Sequence, residues 1–151
     1  MTTIVYRAGL IVGDTCITQG NSRVGRVTKV VRRKDGALAG ACGELGALTS
    51  FLGWAETESL KKKAKPFLFC DSGEGFIAHP DGRIQWYGGE GTAFLDVPHI
   101  AIGSGSLVAM GAMFMGASAR DAMVAAASID HGTAGPFVCL THDSKVVETF
   151  S

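Results

Sequence analysis

Two kinds of hydrophobic pattern follow one another in blocks along this chain, and their order limits the folds that it can adopt. Residues 3–7 and 10–18 are β-rich runs separated by Ala8-Gly9, which predicts a hairpin. An alternating run from 27 to 31 and a run of small residues over 37–42 continue the block as strands. The first part of the chain is therefore predicted to be antiparallel strands.

The pattern changes at Gly43. Apolar residues then recur at helical spacing, which predicts one helix over 45–63 that ends before Pro66. A second group of predicted strands covers 67–70, 75–79 and 83–87.

The last third of the chain predicts two helices between two strand regions. A strand over 99–102 leads into a glycine-serine turn and a helix that contains Leu107. Ser118 is expected to cap another helix, and strands are predicted at 136–140 and 145–148. Blocks of antiparallel strands with helices outside them predict a layered α+β fold.

Composition and charge are typical of a globular, core-forming chain. Hydrophobic residues make up 46% of the 151 and charged residues 19%, so we expect one domain spanning residues 1–151. The 14 basic and 14 acidic residues cancel, which gives no reason to expect nucleic acid or an anionic membrane as a partner. No apolar run approaches the roughly 20 residues that span a bilayer.

The sequence predicts neither an export signal nor a metal or cofactor site. The N-terminus lacks a basic segment followed by an apolar one. The four cysteines have no CxxC spacing, which is typical of reduced thiols, and the four histidines also lack ligand spacing. We therefore expect a cytoplasmic protein that needs no cofactor.

Thr2 is the residue in the chain with the clearest potential for catalysis. If Met1 is removed, Thr2 carries a hydroxyl nucleophile and a free α-amine on one residue. That pairing allows an N-terminal threonine to cleave amides. An α-amine ordinarily has a pKa of about 7.7–8.0, which makes it a suitable base near neutral pH.

A lysine and an aspartate could supply the positive field that this chemistry needs. Lys29 is expected to face the same side as Val27 and Val31, and a buried ammonium must be paired. Asp14 is the obvious partner. When Lys29 is considered without the other residues, the alternative is an ordinary exposed lysine on an edge strand. Gly43 lies at the point where a strand passes into a helix. Unpaired backbone amides at such a junction can donate to a developing oxyanion. The alternative is that this glycine only permits a tight turn.

Taken in order, these motifs resemble those of proteasome β-type subunits. The motifs are Thr2-Thr3-Ile4-Val5, Asp14 with Thr18, Lys29, the run 38–43 and the run 100–106. The similarity is closest to the bacterial HslV peptidase branch of the N-terminal nucleophile hydrolases, and it covers nearly the whole chain. It implies a four-layer αββα sandwich and a threonine-type peptidase.

The resemblance also implies roles for individual residues. Thr2 would be the nucleophile, with its amine as the general base and the Gly43 amide in the oxyanion hole. Lys29 would ease proton removal, with Asp14 orienting it. Further implied site residues are Ser104 and Asp130 around the Thr2 amine, Thr18 for the substrate main chain, and Ile17, Val27, Val31, Ala41 and Leu45 around the primary specificity pocket. Because that set contains no charge, an apolar side chain is expected before the scissile bond.

Departures from the family pattern affect the expected assembly. The family usually has a second long helix between the helix at 45–63 and the strand at 67, and here about three residues remain. Cys16 stands where the proteasome branch often has arginine, and Thr133 where archaeal-type subunits have serine. The helices at 107–127, rich in small residues and methionine, predict a homo-oligomer. The shortened middle region argues against the usual double ring and leaves an unfoldase ATPase partner uncertain.

Two other functions stay open at this stage. One is an amidohydrolase of small amides on the same scaffold, and the other is a catalytically inactive, proteasome-like assembly subunit. The set of Thr2, Asp14, Lys29 and Gly43 argues against the inactive subunit, because such a protein has no physical need for a buried Lys–Asp pair. We therefore predict an N-terminal-threonine endopeptidase that acts on unfolded or short peptides.

Overall fold

Twelve strands and three α-helices make up the computed structural model, which describes residues 1–151. The strands are β1 (Thr3–Arg7), β2 (Leu10–Gly13), β3 (Cys16–Gln19), β4 (Ser22–Arg26), β5 (Val30–Arg32), β6 (Leu38–Gly43), β7 (Gly73–Ala78), β8 (Ile84–Tyr87), β9 (Thr92–Leu95), β10 (His99–Gly103), β11 (Phe137–Thr141) and β12 (Glu148–Phe150). The helices are α1 (Leu45–Glu56), α2 (Ser106–Phe114) and α3 (Ala119–Ile129), and a short 3₁₀ helix covers Glu58–Leu60.

The strands form two five-stranded antiparallel sheets and a separate hairpin. The first sheet has the order β10-β1-β2-β11-β12, and the second has the order β5-β6-β7-β8-β9. The hairpin joins β3 to β4. The α+β class predicted from the sequence is confirmed.

Alternation along the strands gives each sheet two apolar faces. Ile4 of the first sheet belongs to a buried cluster with Leu38 and Phe76 of the second, whereas its neighbour Val5 belongs to a cluster with Met113 and other residues of α2 and α3. Successive strand residues point to opposite faces, so β1 contributes to both clusters. Each fully buried side chain of this size stabilises the fold by about 1.5–3 kcal/mol.

The second sheet is covered on its outer face by α1. Phe51 of α1 is fully buried and contacts Tyr87 of β8 with a ring separation of 5.3 Å. Phe67 and Phe69, from the loop after α1, extend this aromatic cluster at 5.3 and 5.1 Å from Phe51. None of the helices is long and apolar enough to cross a membrane.

The predicted helix over 45–63 was too long. The observed helix ends at Glu56, and only a 3₁₀ turn follows. The buried positions of α1 end at Ala55, and the next positions at helical spacing are Glu58 and Ser59, which supply no apolar face. Without tertiary packing, helical propensity alone does not extend the element.

The predicted strand over 67–70 is absent. Adjacent amides, those of Phe69 and Cys70, donate to the carbonyls of Gly88 and Gly89 at 3.1 Å each, whereas a strand ladder uses alternate residues. Cys70 also has a φ of +53°, which breaks the extended conformation.

Other strand boundaries differ from the prediction. The run predicted over 27–31 becomes a strand only from Val30, the predicted strand over 145–148 is instead 148–150, and β9 was not predicted. The predicted Ser118 cap is confirmed, since its hydroxyl accepts a hydrogen bond from the Asp121 amide at 3.1 Å.

Candidate active site

The β1–β2 hairpin brings the start of the chain beside Asp14. The Asp14 amide donates to the Thr3 carbonyl at 3.1 Å, and the Thr3 amide donates to Asp14 Oδ1 at 2.9 Å. The other carboxylate oxygen accepts from the Cys16 amide at 3.2 Å. Asp14 is therefore fixed by the backbone at both oxygens, next to Thr2.

Lys29 and Asp14 form a buried ion pair. Lys29 Nζ lies 3.0 Å and 3.1 Å from the two Asp14 oxygens, and the side chains are only 2% and 0% exposed. Nζ also donates to the carbonyls of Cys16 at 2.6 Å and Met1 at 3.3 Å. All the donors of the ammonium are thus directed at oxygen atoms.

Burial has a clear electrostatic effect on the acid of this pair. Desolvation raises the pKa of Asp14 above its ordinary value, and the Lys29 charge and the amides of Thr3 and Cys16 oppose that rise. The contacts of its two oxygens with Lys29 and with the amides of Thr3 and Cys16 hold the carboxylate in place. Lys29 is also held close to Thr2, because its ammonium donates to the carbonyl of the preceding residue, Met1.

Ser104 and Asp130 lie on the other side of Thr2. The Ser104 amide donates to the Thr2 carbonyl at 2.7 Å, and its hydroxyl lies 3.3 Å from the same carbonyl. Ser104 Oγ also donates to Asp130 Oδ2 at 2.7 Å. Desolvation raises the pKa of Asp130, but hydrogen bonds from Thr133 and Ser104 more than offset it, so the net pKa is lowered.

A chain of hydroxyls links Asp130 to β1, and this network was not predicted. Thr133 donates to Asp130 at 2.5 Å, so the 2.6 Å contact between Thr3 and Thr133 requires Thr3 to be the donor. The Gly105 amide in turn donates to Thr3 Oγ1 at 3.0 Å. The sequence signals for this network were Asp130, implied as a site residue by the resemblance, and a hydroxyl residue at 133.

A cavity of about 160 Å³ opens beside Thr2, and we call it the Thr2 pocket. Its lining consists of Met1, Thr2, Cys16, Ile17, Thr18, Val27, Lys29, Gly43, Glu44, Leu45 and Leu48. Gly43 has a φ of +119°, a conformation that favours glycine. The next amide, that of Glu44, is not available to a ligand because it donates to the Ser72 carbonyl at 2.8 Å.

The pocket contains three of the five side chains predicted for its wall. Ile17, Val27 and Leu45 line it, but Val31 and Ala41 do not. Ala41 is fully buried in the cluster beneath α1, and Val31 packs against that same cluster. The prediction that Val31 shares a face with Val27 was wrong because the regular strand begins only at Val30.

Sequence reasoning missed Glu44 and Leu48 as lining residues. Leu48 lies one helical turn after Leu45, so the spacing could have indicated it.

Burial and the nearby Glu74 charge raise the pKa of the Cys42 thiol to about 12, so Cys42, although beside Gly43, is not a competing nucleophile. No group of three or more His, Cys, Asp or Glu side chains is arranged to hold a metal ion.

Met1 occupies part of the Thr2 pocket. Its amine donates to Thr18 Oγ1 at 3.1 Å, its carbonyl accepts from Lys29, and its side chain lies against Gly132. Thr2 is only 4% exposed beneath it. While Met1 is present, the Thr2 nitrogen is a non-basic peptide amide.

The fold is similar to that of known structures. No protein-family model matches the chain, and neither does any curated protein. Among solved structures, Thiobacillus denitrificans BPH matches with a TM-score of 0.66 and 20% identity over 99% of this chain and 98% of that chain. The same protein in complex with epoxomicin matches with a TM-score of 0.67, again with 20% identity and the same coverage. The chain shares the fold of that protein.

Proposed function

We propose that this chain is an N-terminal-threonine endopeptidase that resembles proteasome β-type and HslV subunits and is built as their four-layer αββα sandwich. The observation that carries the proposal is the buried Lys29–Asp14 pair, whose lysine lines the same small pocket as Thr2. A buried ion pair is weak as a source of stability. A charge held beside a hydroxyl nucleophile is instead what amide cleavage requires.

The proposed reaction begins after Met1 has been removed. The Thr2 α-amine takes the hydroxyl proton, and Thr2 Oγ attacks the carbonyl carbon of the substrate. The tetrahedral intermediate then collapses, the C–N bond breaks, and the leaving amine takes the proton back. Water hydrolyses the resulting ester of Thr2 and restores the free hydroxyl.

The surrounding residues stabilise charge or hold the reacting groups in place. The Lys29 ammonium, oriented by Asp14, would favour the developing alkoxide. The Gly43 amide would donate to the oxyanion, and Ser104 with Asp130 would orient the freed Thr2 amine. Thr18, whose hydroxyl now binds the Met1 amine, would meet the substrate main chain in its place.

The shared fold supports the proposal, as does one bound compound. Thiobacillus denitrificans BPH has been solved in complex with epoxomicin. We propose that the Thr2 pocket of this chain binds the same compound. The proposed substrates are short peptides or unfolded proteins, and the proposed active form is a cytoplasmic homo-oligomer. An unfoldase ATPase is a candidate partner.

Hydrolysis of fluorogenic peptides by three matched chains tests the proposal. The wild type and Thr2→Ser, each confirmed by intact mass to lack Met1, are expected to cleave, because both keep a hydroxyl and an α-amine on residue 2. Thr2→Ala is expected to be inactive while unfolding at a temperature close to that of wild type. Cleavage by Thr2→Ala at the wild-type rate would exclude the threonine mechanism.

A further inference from the structure

We propose that Glu44 makes the Thr2 pocket select a cationic residue, arginine or lysine, before the scissile bond. The inference rests on the proposed function and replaces the apolar preference expected from the sequence. That expectation assumed a pocket without charge, but Glu44 lines the cavity.

Glu44 has no partner for its side chain. It is the N-cap residue of α1, but its carboxylate makes no capping hydrogen bond. It is absent from the five ion pairs of the molecule. Only its backbone is engaged, through the amide bond to Ser72 and a carbonyl that accepts from Leu48. The side chain is exposed and free to bind a ligand.

The Lys29 ammonium, which also lines the pocket, is already paired. Lys29 is 2% exposed and donates to Asp14, Cys16 and Met1. Its charge is balanced by Asp14 at 3.0 Å. In the active protein, in which Met1 is absent and the Thr2 amine is the neutral base, the uncompensated charge of the pocket is therefore the negative charge of Glu44, which favours a cation and disfavours an acidic side chain.

The walls suit a long side chain with a charged end. Ile17, Val27 and Leu48 give the pocket an apolar lining, while Glu44 lies at its exposed rim. Arginine and lysine bury an aliphatic stem along apolar surface and keep the charged group in water. A leucine side chain would contact the same walls but would gain nothing from the carboxylate.

Three peptides that differ only in the residue before the cleaved bond, arginine, leucine or glutamate, test this inference on the mature wild-type protein. We expect kcat/KM to fall in the order arginine, leucine, glutamate. In Glu44→Gln the arginine-to-leucine ratio should fall by up to about fivefold, the scale of an exposed charge pair. In Glu44→Lys the glutamate peptide should overtake the arginine peptide.

Glu56→Gln is the matched control, because Glu56 is exposed at the opposite end of α1 and does not line the pocket. Its ratios should equal those of wild type. Raising the salt concentration from 50 to 500 mM should reduce the wild-type preference for arginine, because salt screens exposed charges.

The outcomes separate this inference from the proposed function. Cleavage with a leucine preference, or with ratios that Glu44→Gln leaves unchanged, would overturn the role of Glu44 and leave the threonine mechanism standing. Absence of cleavage of all three peptides would overturn the proposed function, and the role of Glu44 would fall with it.

Discussion

At the scale of single residues, Lys29 is the most informative side chain in the molecule. Taking an ammonium and a carboxylate out of water costs several kcal/mol per ion, and their attraction repays this only with good geometry and further hydrogen bonds. Lys29 and Asp14 have both, with backbone partners at Thr3 and Cys16. A pair of apolar residues could fill the same space at lower cost. The proposed catalytic role of Lys29 would account for the ion pair at this position.

Lys29→Ala should therefore have two effects. We expect hydrolysis to fall by about two orders of magnitude or more, the scale of losing one preorganised electrostatic group. We also expect the free energy of unfolding to fall by about 3–5 kcal/mol, because Asp14 is left buried and unpaired. Urea unfolding and rates corrected for the folded fraction measure both. The exposed Lys34→Ala is the control, and normal cleavage by Lys29→Ala would show that Lys29 has no catalytic role.

The free amine of Thr2 gives the activity a defined pH dependence. Only the neutral amine can accept the hydroxyl proton, so kcat/KM should rise with pH through the range of an α-amine pKa, about 7.7–8.0. A pH profile of peptide hydrolysis from pH 6 to 9 measures this. A profile that is flat over this range would contradict the role of the amine.

At the scale of secondary-structure elements, the sequence predicted those helices and strands that have a clear hydrophobic periodicity. The β1–β2 hairpin, α3 with its Ser118 cap and the existence of α1 follow from local patterns. The end of α1 and the loop after it do not, because both depend on tertiary contacts. Phe67 and Phe69 look like strand residues in the sequence, but they pack against Phe51 from an irregular loop.

The candidate site was predictable to a similar extent. Asp14 could be proposed as the partner of Lys29 because a buried charge needs one. The hydrogen-bonded chain of Thr3, Thr133 and Asp130 could not be predicted in this way. Thr3 and Thr133 are 130 positions apart and meet only through the tertiary fold, although Thr133 and Asp130 are 3 positions apart. The lining of the pocket depended on where β5 starts, a boundary that alternation alone does not fix.

The turn from β6 into α1 depends on Gly43. A Cβ at this position would press against the Ser72 carbonyl and the Gly73 Cα, in a conformation with a φ of +119°. Gly43→Ala should therefore destabilise the protein by more than about 1 kcal/mol. Gly46→Ala is the matched control, because open space surrounds that helical position, and it should stabilise by about 0.5–1 kcal/mol. Thermal unfolding compares the two, and equal effects would contradict the strain argument.

At the scale of the whole molecule, large apolar side chains are exposed on α2 and at its C-terminal end, and we propose this surface as the contact between subunits. Leu107, Phe114 and Met115 are 86%, 83% and 83% exposed, whereas Met113 on the opposite side of the helix is buried. Monomers seldom expose contiguous apolar patches of large size. The homo-oligomer stays a prediction, and Met113, one of the residues in the helices on which it was based, belongs to the core.

Sedimentation velocity at micromolar concentration should show an oligomer for the wild-type chain. Phe114→Lys should shift the distribution toward the monomer, because it places a charge in the proposed contact. Lys61→Ala, at an exposed site beyond α1, should leave the distribution unchanged. A wild-type monomer would contradict the oligomer, and a closed double ring in electron micrographs would contradict the architecture expected from the shortened middle region.

We propose that Thr2, as the first residue of the mature chain, is the nucleophile. Epoxomicin, intact mass and peptide mapping test it directly. After incubation, the protein lacking Met1 should gain the mass of one epoxomicin on the peptide that begins with Thr2, and a chain with a verified N-terminal extension should gain none. Labelling of the extended chain, or of a residue other than Thr2, would contradict the N-terminal threonine mechanism.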